Sequence, residues 1–354
     1  MRIVITGASG NVGTALVRRL AGDHDLVGVV RRPPTDPEGP LAQVEWVAAD
    51  LADDSAVGVL RTACAGADAV VHLAWGFQPS HRLDLLAETG VGGTDRVLTA
   101  VGAASVPHLV HMSSVGAYSP RQDSRPVGED WPTAGVPSSP YSSHKAAAER
   151  LLDRFETDHA DTVVTRLRPG IIGQRDAGSA LLRYGLPALA PAALVRLLPL
   201  LPVDRTLEIP FVHADDVADA IARVLEARAP GPFNLAAEPV LTVEHIAAVL
   251  GARHVHVPAP VVRAVVAGSW HARLQPLDPG WIDLAFSVPL LDCSRAHDEL
   301  GWTPAVDAVT VLEEVVAGMA DRSSRPTPAL RPRTLSDLAR RFVTKGPVSS
   351  RRLP

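Results

Sequence analysis

The chain has 354 residues, 46% of them hydrophobic, which is enough to bury a sizeable core and implies one large domain with an appended lobe. A formal net charge of −5 leaves no global basic field to draw in nucleic acid or an anionic membrane, so a small-molecule substrate is expected. The two cysteines, Cys64 and Cys293, share no CxxC spacing; this argues against a disulfide framework or structural zinc and suits apolar fillers in a reducing cytoplasm.

From Met1 the sequence runs directly into a strand at 2–6 and a glycine turn, which leaves no room for a leader peptide and sets the expectation of a cytoplasmic protein. Further strands are expected at 26–30, 44–48, 69–73, 108–113 and 162–168, with helices at 13–21, 54–64, 83–103 and 141–159. Short β-branched runs alternating with helices predict an α/β fold, a doubly wound parallel Rossmann sheet covered on both faces, over residues 1–170. Past residue 170 the alternation breaks up. Proline and glycine punctuate 185–210, then a strand and helix follow at 211–227 and another pair at 233–250. This predicts a smaller C-terminal substrate-binding lobe from 171–204 and 236–320, with 205–235 returning to the Rossmann domain. The apolar stretch 186–203 is long enough to span a bilayer, but Pro187, Pro191, Pro199, Pro202 and Arg196 argue against a membrane span; it reads instead as a pocket wall. Residues 321–354, basic and proline-rich, read as a mobile tail with one short helix at 335–342.

Gly7, Gly10 and Gly13 fall between the first strand and the first helix at G-x-x-G-x-x-G spacing. Glycines there let the backbone turn sharply and approach a pyrophosphate, and the helix N-terminus offers free N–H groups; Ser9, Asn11 and Val12 belong to the same turn. A ribose reader is expected roughly 20 residues further on, at the end of the second strand. Arg31 and Arg32 stand there in place of an acid. Guanidinium groups pair with a 2′-phosphate, so NADP(H) is favoured and NAD(H) is the alternative.

Tyr141 and Lys145 lie one helical turn apart on one face. An ammonium beside a phenol favours the phenolate and suits proton exchange with an alcohol or carbonyl. Ser113 and Ser114 end the preceding strand, and either hydroxyl can point over the sheet edge into the same crevice.

Taken together these residues make the chain resemble an extended short-chain dehydrogenase/reductase of the NAD-dependent epimerase/dehydratase family over residues 1–320. The resemblance rests on residues 6–13, on Asp50-Leu51, on Val71-His72-Leu73-Ala74, on Tyr141 with Lys145, on Ser114 four residues before Tyr118, and on later landmarks at 211–218, Phe233-Asn234-Leu235 and Leu300-Gly301-Trp302. It implies that Ser114, Tyr141 and Lys145 are catalytic. It also implies that Asp50, Leu51, Leu73, Ala74, Pro169 and Ile171 join the glycine turn around the coenzyme, with Trp75 and Gly170 beside Ser114 and Tyr141 on the substrate side. A homodimer is the assembly it suggests. No metal is expected: Asp215 and Asp216 read as a helix cap and first-turn acid, and His72, His111 and His213 are too dispersed to form a ligand set.

Three departures shape the substrate expectation. Gly90 stands where the family usually has asparagine before a Val-x-Gly-Thr run, and Trp75 stands where a small residue is common. Pro169-Gly170, and Leu207-Glu208-Ile209-Pro210 before Phe211, replace groups that would bind a nucleoside diphosphate. The expectation is therefore a carbonyl reductase or alcohol dehydrogenase acting on an apolar compound. A sugar-nucleotide epimerase, dehydratase or reductase using Arg183, Arg196 and Arg205 is the alternative, and a non-catalytic NADP(H) sensor or scaffold is the alternative of another class.

Overall fold

Seven strands are built into one parallel sheet; the computed structural model describes residues 1–76, 79–185 and 199–331. The N-terminal half runs β1 (Arg2–Thr6), α1 (Asn11–Leu20), β2 (Asp25–Val30), β3 (Val44–Ala48), α2 (Ala56–Cys64) and β4 (Ala69–His72), continuing through α3 (Leu83–Ala87), α4 (Gly93–Ala103), β5 (His108–Met112), α5 (Pro140–Asp158) and β6 (Val163–Pro169). All six expected strands are present, with ends shifted by a residue or so. After β7 (Ile171–Gly173), α6 (Gly178–Gly185), β8 (Leu200–Val203), β9 (Glu208–His213) and α7 (Ala214–Ala227), the chain returns to the main sheet as β10 (Gly231–Leu235), parallel to β6. The strand order is β10-β6-β5-β4-β1-β2-β3.

Burial on both faces explains the continuous apolar runs in the strands. In β1, Ile3 and Ile5 pack with Leu16 and Leu20 of α1 and Val217, Ile221 and Val224 of α7, while Val4 faces Leu60 of α2, Val101 of α4 and Leu152 of α5. Each such side chain contributes on the order of 2 kcal/mol of hydrophobic stabilisation. The chain leaves β1 towards β2 on one side and crosses to β4 on the other. A crevice therefore opens at the carboxyl ends of β1 and β4, the place where this topology receives ligands.

The expected helix at 83–103 is interrupted. Between α3 and α4 one π turn covers Glu88–Gly92, and the Thr94 hydroxyl donates to the Gly90 carbonyl at 2.7 Å. Gly90, Gly92 and Gly93 weaken the regular helix here and admit the wider turn.

Beyond the main sheet, β7, β9 and β11 (Ala237–Thr242) form a three-stranded sheet, and β8 pairs with β12 (Arg253–His256). Helices α8 (Val243–Leu250), α9 (Ala259–His271), α10 (Gly280–Ser287), α11 (Ser294–Leu300) and α12 (Ala308–Asp321) complete the described chain. The start of α7 bears out one half of the sequence expectation and corrects the other: Asp215 and Asp216 are both first-turn acids, but neither is the cap. His213 occupies the N-cap and accepts from the Asp215 N–H, leaving Asp215 to pair with Arg18 at 2.6 Å and Asp216 to accept from the N–H groups of Ala305 and Val306. An imidazole nitrogen replaces a carboxylate as the capping acceptor, which frees both acids to tie other elements to the helix. Of the expected tail, residues 321–331 pack onto the body: Leu330 is buried against Ala177 and Ala180, and the Thr327 hydroxyl donates to the Ser9 carbonyl at 2.9 Å. The rest of the tail, with the helix expected at 335–342, lies outside the described residues, as do 186–198 of the expected pocket wall and Arg196. No helix among the described residues is long and apolar enough to cross a membrane.

A band of polar side chains crosses the sheet at one level, because Thr6, His72, His111 and Arg166 are register partners on successive strands. His72 lies between the hydroxyls of Thr6 at 2.6 Å and Thr94 at 3.1 Å. The band ends on α5 at Glu149, which is fully buried and takes hydrogen bonds from Ser113 Oγ at 2.5 Å, Arg168 Nε at 2.9 Å and Arg166 at 2.9 Å. Burial pushes the Glu149 carboxyl up, but the Arg168 guanidinium, the Ser113 hydroxyl and Arg166 outweigh it and hold it below its ordinary value. Removing the charge of a buried pair strands its partners, so Glu149→Gln is expected to lose about 3 kcal/mol in urea unfolding, and an unchanged midpoint would show that the cluster is dispensable.

Desolvation drives the histidines to their neutral forms, His72 to about 3 and His108 to about 4. Their folded values lie below the unfolded value of about 6.5, so the unfolded chain binds more protons as pH falls below 6.5. Stability is therefore expected to drop by about 1.4 kcal/mol per pH unit for each histidine between pH 6.5 and its folded value, and His108→Gln should flatten that slope in urea titrations at pH 7 and 5.

Candidate active site

The turn after β1 is shaped by close approach. Gly7 adopts φ +75, and a Cβ on Gly13 would lie 2.3 Å from the Gly7 carbonyl oxygen, so α1 begins hard against the turn only because position 13 is glycine. Gly10 caps α1 without any side-chain hydrogen bond, and no acid occupies the first helical turn, which leaves the positive end of the helix dipole facing the crevice. Asn11 is held by Gln174, whose amide donates to the Asn11 side-chain oxygen at 2.7 Å, while Asn11 in turn donates to the Ile172 carbonyl at 3.1 Å. Ser9 and Val12 are buried beside them. This cradle, apolar beneath and cationic in field, fits the pyrophosphate of a nicotinamide dinucleotide.

Arg31 and Arg32 directly follow β2, whose Val29 carbonyl accepts from the Gly7 N–H at 2.9 Å, so both arginines begin next to the glycine turn. Asp50 is exposed and Leu51 buried just past β3; the Leu51 carbonyl accepts from Arg96 at 3.0 Å. Leu73 and Ala74 leave β4 with their N–H groups on the Thr6 carbonyl and hydroxyl, at 3.1 and 3.3 Å. Pro169 closes β6, and the Gly170 N–H donates to the Leu235 carbonyl at 3.0 Å. Ile171, which opens β7, is an exposed apolar side chain. The expected coenzyme residues thus follow the carboxyl ends of β1, β2, β3, β4 and β6, with Ile171 at the start of β7 in the neighbouring three-stranded sheet.

The next loops bring the expected catalytic residues together. Ser139 caps α5, with Pro140 in its first turn, which fixes where Tyr141 and Lys145 project. Ser114 and Tyr141 share a side-chain hydrogen bond. The adjacent serine is committed elsewhere, because Ser113 donates to Glu149; the structure thereby separates two hydroxyls that the sequence left interchangeable. Lys145 is buried, with Nζ donating to the Met112 carbonyl at 2.8 Å and lying 3.6 Å from the centroid of the Trp75 ring.

The expected lowering of the tyrosine pKa by Lys145 is not what the structure gives. Burial pushes the Tyr141 phenol up to about 12, against the lowering effect of Ser114, and burial depresses the Lys145 ammonium to about 7, against the raising effect of Glu149. The ammonium is turned towards Met112 and Trp75, so its charge does little for the phenol.

Two features escaped sequence reasoning. Trp281 of α10 stacks on Tyr141 with centroids 5.0 Å apart, while Trp75 meets the same ring edge-on at 6.5 Å. The phenol is thus flanked by two indoles. Glu149 and Arg168 also went unread, although two arginines at alternate positions of an apolar strand are a signal of buried pairing. Arg168 further donates to the Tyr118 hydroxyl at 3.1 Å, and that hydroxyl donates to Asn234 Oδ1 at 2.7 Å. Among the alternative phosphate ligands, Arg205 is exposed on the loop before β9, and the side chain of Arg183 lies outside the described residues.

Comparison with known proteins identifies the family of the chain. Over 91% of its length the chain is 29% identical to an uncharacterized protein of Mycobacterium tuberculosis, but it spans only 30% of that protein. It is 31% identical over 246 residues to the 2-alkyl-3-oxoalkanoate reductase of Stenotrophomonas maltophilia, covering 65% of this chain and 67% of the reductase. In fold it is similar to the UDP-glucose 4-epimerase of Thermus thermophilus in complex with NAD, with a TM-score of 0.67, 23% identity, and coverage of 90% of this chain and 99% of the other. The family model described as the NAD dependent epimerase/dehydratase family matches residues 3–236, from β1 through β10. The chain belongs to that family.

Proposed function

We propose that the chain is an NADP(H)-dependent oxidoreductase of the carbonyl reductase or alcohol dehydrogenase type, acting on a relatively apolar carbonyl or hydroxy compound. The observation that carries this reading is the hydrogen-bonded Ser114–Tyr141 pair flanked by the indoles of Trp75 and Trp281. When bound, the coenzyme supplies or accepts hydride at nicotinamide C4. In the reductive direction Tyr141 gives its proton to the substrate oxygen while Ser114 hydrogen-bonds that oxygen. A phenol raised to about 12 is fully protonated at neutral pH and therefore in the form that reduction requires. Lys145 would hold the nicotinamide ribose of a bound coenzyme, and the two indoles exclude water and offer apolar contact to the substrate. The similarity to a 2-alkyl-3-oxoalkanoate reductase, whose name describes an alkyl-bearing keto acid, supports the same direction.

A sugar-nucleotide epimerase is the second reading, favoured by the fold shared with a UDP-glucose 4-epimerase. It differs in one measurable respect: epimerisation consumes no net coenzyme. The reductase reading expects stoichiometric NADPH oxidation with alkyl ketones or keto acids and none with UDP-glucose.

Tyr141→Phe, which keeps the ring between the indoles and removes the proton, is expected to lower kcat for reduction by about 10²-fold or more with coenzyme affinity unchanged. Unchanged turnover would remove Tyr141 from the chemistry. Arg31 sets coenzyme choice in this reading, so Arg31→Ala is expected to weaken NADPH about tenfold while leaving NADH nearly unchanged in binding titrations. A wild-type protein that binds NADH more tightly than NADPH would overturn the NADP(H) assignment.

A further inference from the structure

Two departures from the family pattern, an indole at position 75 and a glycine at position 90, are one contact in space. A Cβ built on Gly90 would come within 2.9 Å of Trp75 Cζ2, so the ring can rest where it does only while position 90 is glycine. The π turn of Glu88–Gly92 presents that glycine, and the Thr94 hydroxyl fastens its carbonyl. The face of the same indole receives Lys145, with Nζ 3.6 Å from the ring centroid. Lys145 is 3% exposed, and a second direction of its ammonium is spent on the Met112 carbonyl. A buried ammonium with one donor on a carbonyl and one side against a π face has little approach left for a third partner.

We propose that Trp75 is a further determinant of coenzyme binding: its indole occupies the face of Lys145 that a nicotinamide ribose needs, and that ribose must displace the ring to reach the ammonium. This rests on the reading of Lys145 as the ribose-holding residue. The consequence is an asymmetry between the two halves of the coenzyme. The adenine half meets the turn at Gly7–Gly13 and the arginines after β2, none of which is in the Trp75–Gly90–Lys145 contact, so its binding is indifferent to Trp75. Only the nicotinamide half competes with the indole. A cation–π contact shielded from water corresponds to roughly tenfold to thirtyfold in a binding constant, which sets the size of the effect.

The experiment compares the full chain with its Trp75→Ala and Gly90→Ala variants by calorimetric titration. The ligands are NADP⁺ and 2′,5′-ADP, which has the adenine half but no nicotinamide ribose; NAD⁺ and ADP form the equivalent pair if NAD⁺ binds more tightly. Trp75→Ala is expected to bind the dinucleotide roughly tenfold more tightly, with the fragment unchanged within about twofold. Gly90→Ala, whose new methyl group pushes the indole away, is expected to move in the same direction. It also guards against misfolding, because alanine favours a helical backbone over glycine. Dinucleotide affinity that is unchanged or weaker in the two variants overturns the proposal, weaker binding meaning that the indole supports the coenzyme. An equal gain for the fragment overturns it too, since the effect then bypasses the ribose. If neither dinucleotide binds any of the three proteins, the coenzyme reading itself falls and the proposal with it, whereas a wild type that binds and reduces carbonyls beside variants of equal affinity sinks the role of Trp75 alone.

Discussion

The Glu149 carboxylate is the point on which the rest of the candidate site is hung. It lies one helical turn from Lys145 on α5, accepts from Ser113 beside Ser114, and is gripped by Arg168, the residue before Pro169. Three loops that end on β5, α5 and β6 are thus referenced to one buried charge. Taking a carboxylate and two guanidinium groups out of water costs several kcal/mol for each ion, and only dense hydrogen bonding offsets it. The cluster meets that condition, since Arg166 also engages Asp153 and Glu156 and Arg168 also reaches the Glu129 carbonyl and the Tyr118 hydroxyl. A hydrophobic substitute would pack as well but would not fix direction. The benefit of the ionic solution is therefore geometric.

That geometry bears on the two ionisable groups of the proposed reaction. Burial acts on both in the sense that favours neutrality, raising Tyr141 and lowering Lys145. The phenol is thereby kept as an acid, and the lysine is brought into the range where modest changes in its surroundings decide its charge. Whatever touches the ammonium consequently matters more than it would for an ordinary surface lysine, and the indole of Trp75 and the carbonyl of Met112 are the groups that do.

Much of this was legible in the sequence because its signals are local. The glycine turn at 7–13, the strand runs and the Tyr141 and Lys145 spacing each depend on neighbours in the chain, and the alternation of strands and helices fixes a parallel sheet. What was not legible depends on residues brought together only by folding. The stacking of Trp281 on Tyr141 joins positions on α10 and α5, and nothing in either segment announces the other. Gly90 and Trp75 read as two separate oddities, and only the π turn makes them one. The cap of α7 was expected at the Asp215 and Asp216 pair because carboxylates are the usual acceptors, whereas the imidazole of His213, two residues before Asp215, occupies that place.

The hydroxyl of Thr327 resting on the carbonyl of Ser9 bridges 318 positions of sequence. Contacts of such separation form late, because the closure entropy of the intervening chain must be met before the bond returns anything. On the ribosome the first strand and its glycine turn emerge long before residue 327 is made, so the turn must wait, with its own sheet already assembling, for the last of its supports. The glycine turn, made well before residue 327, thus reaches its final form only after that distant residue has been made.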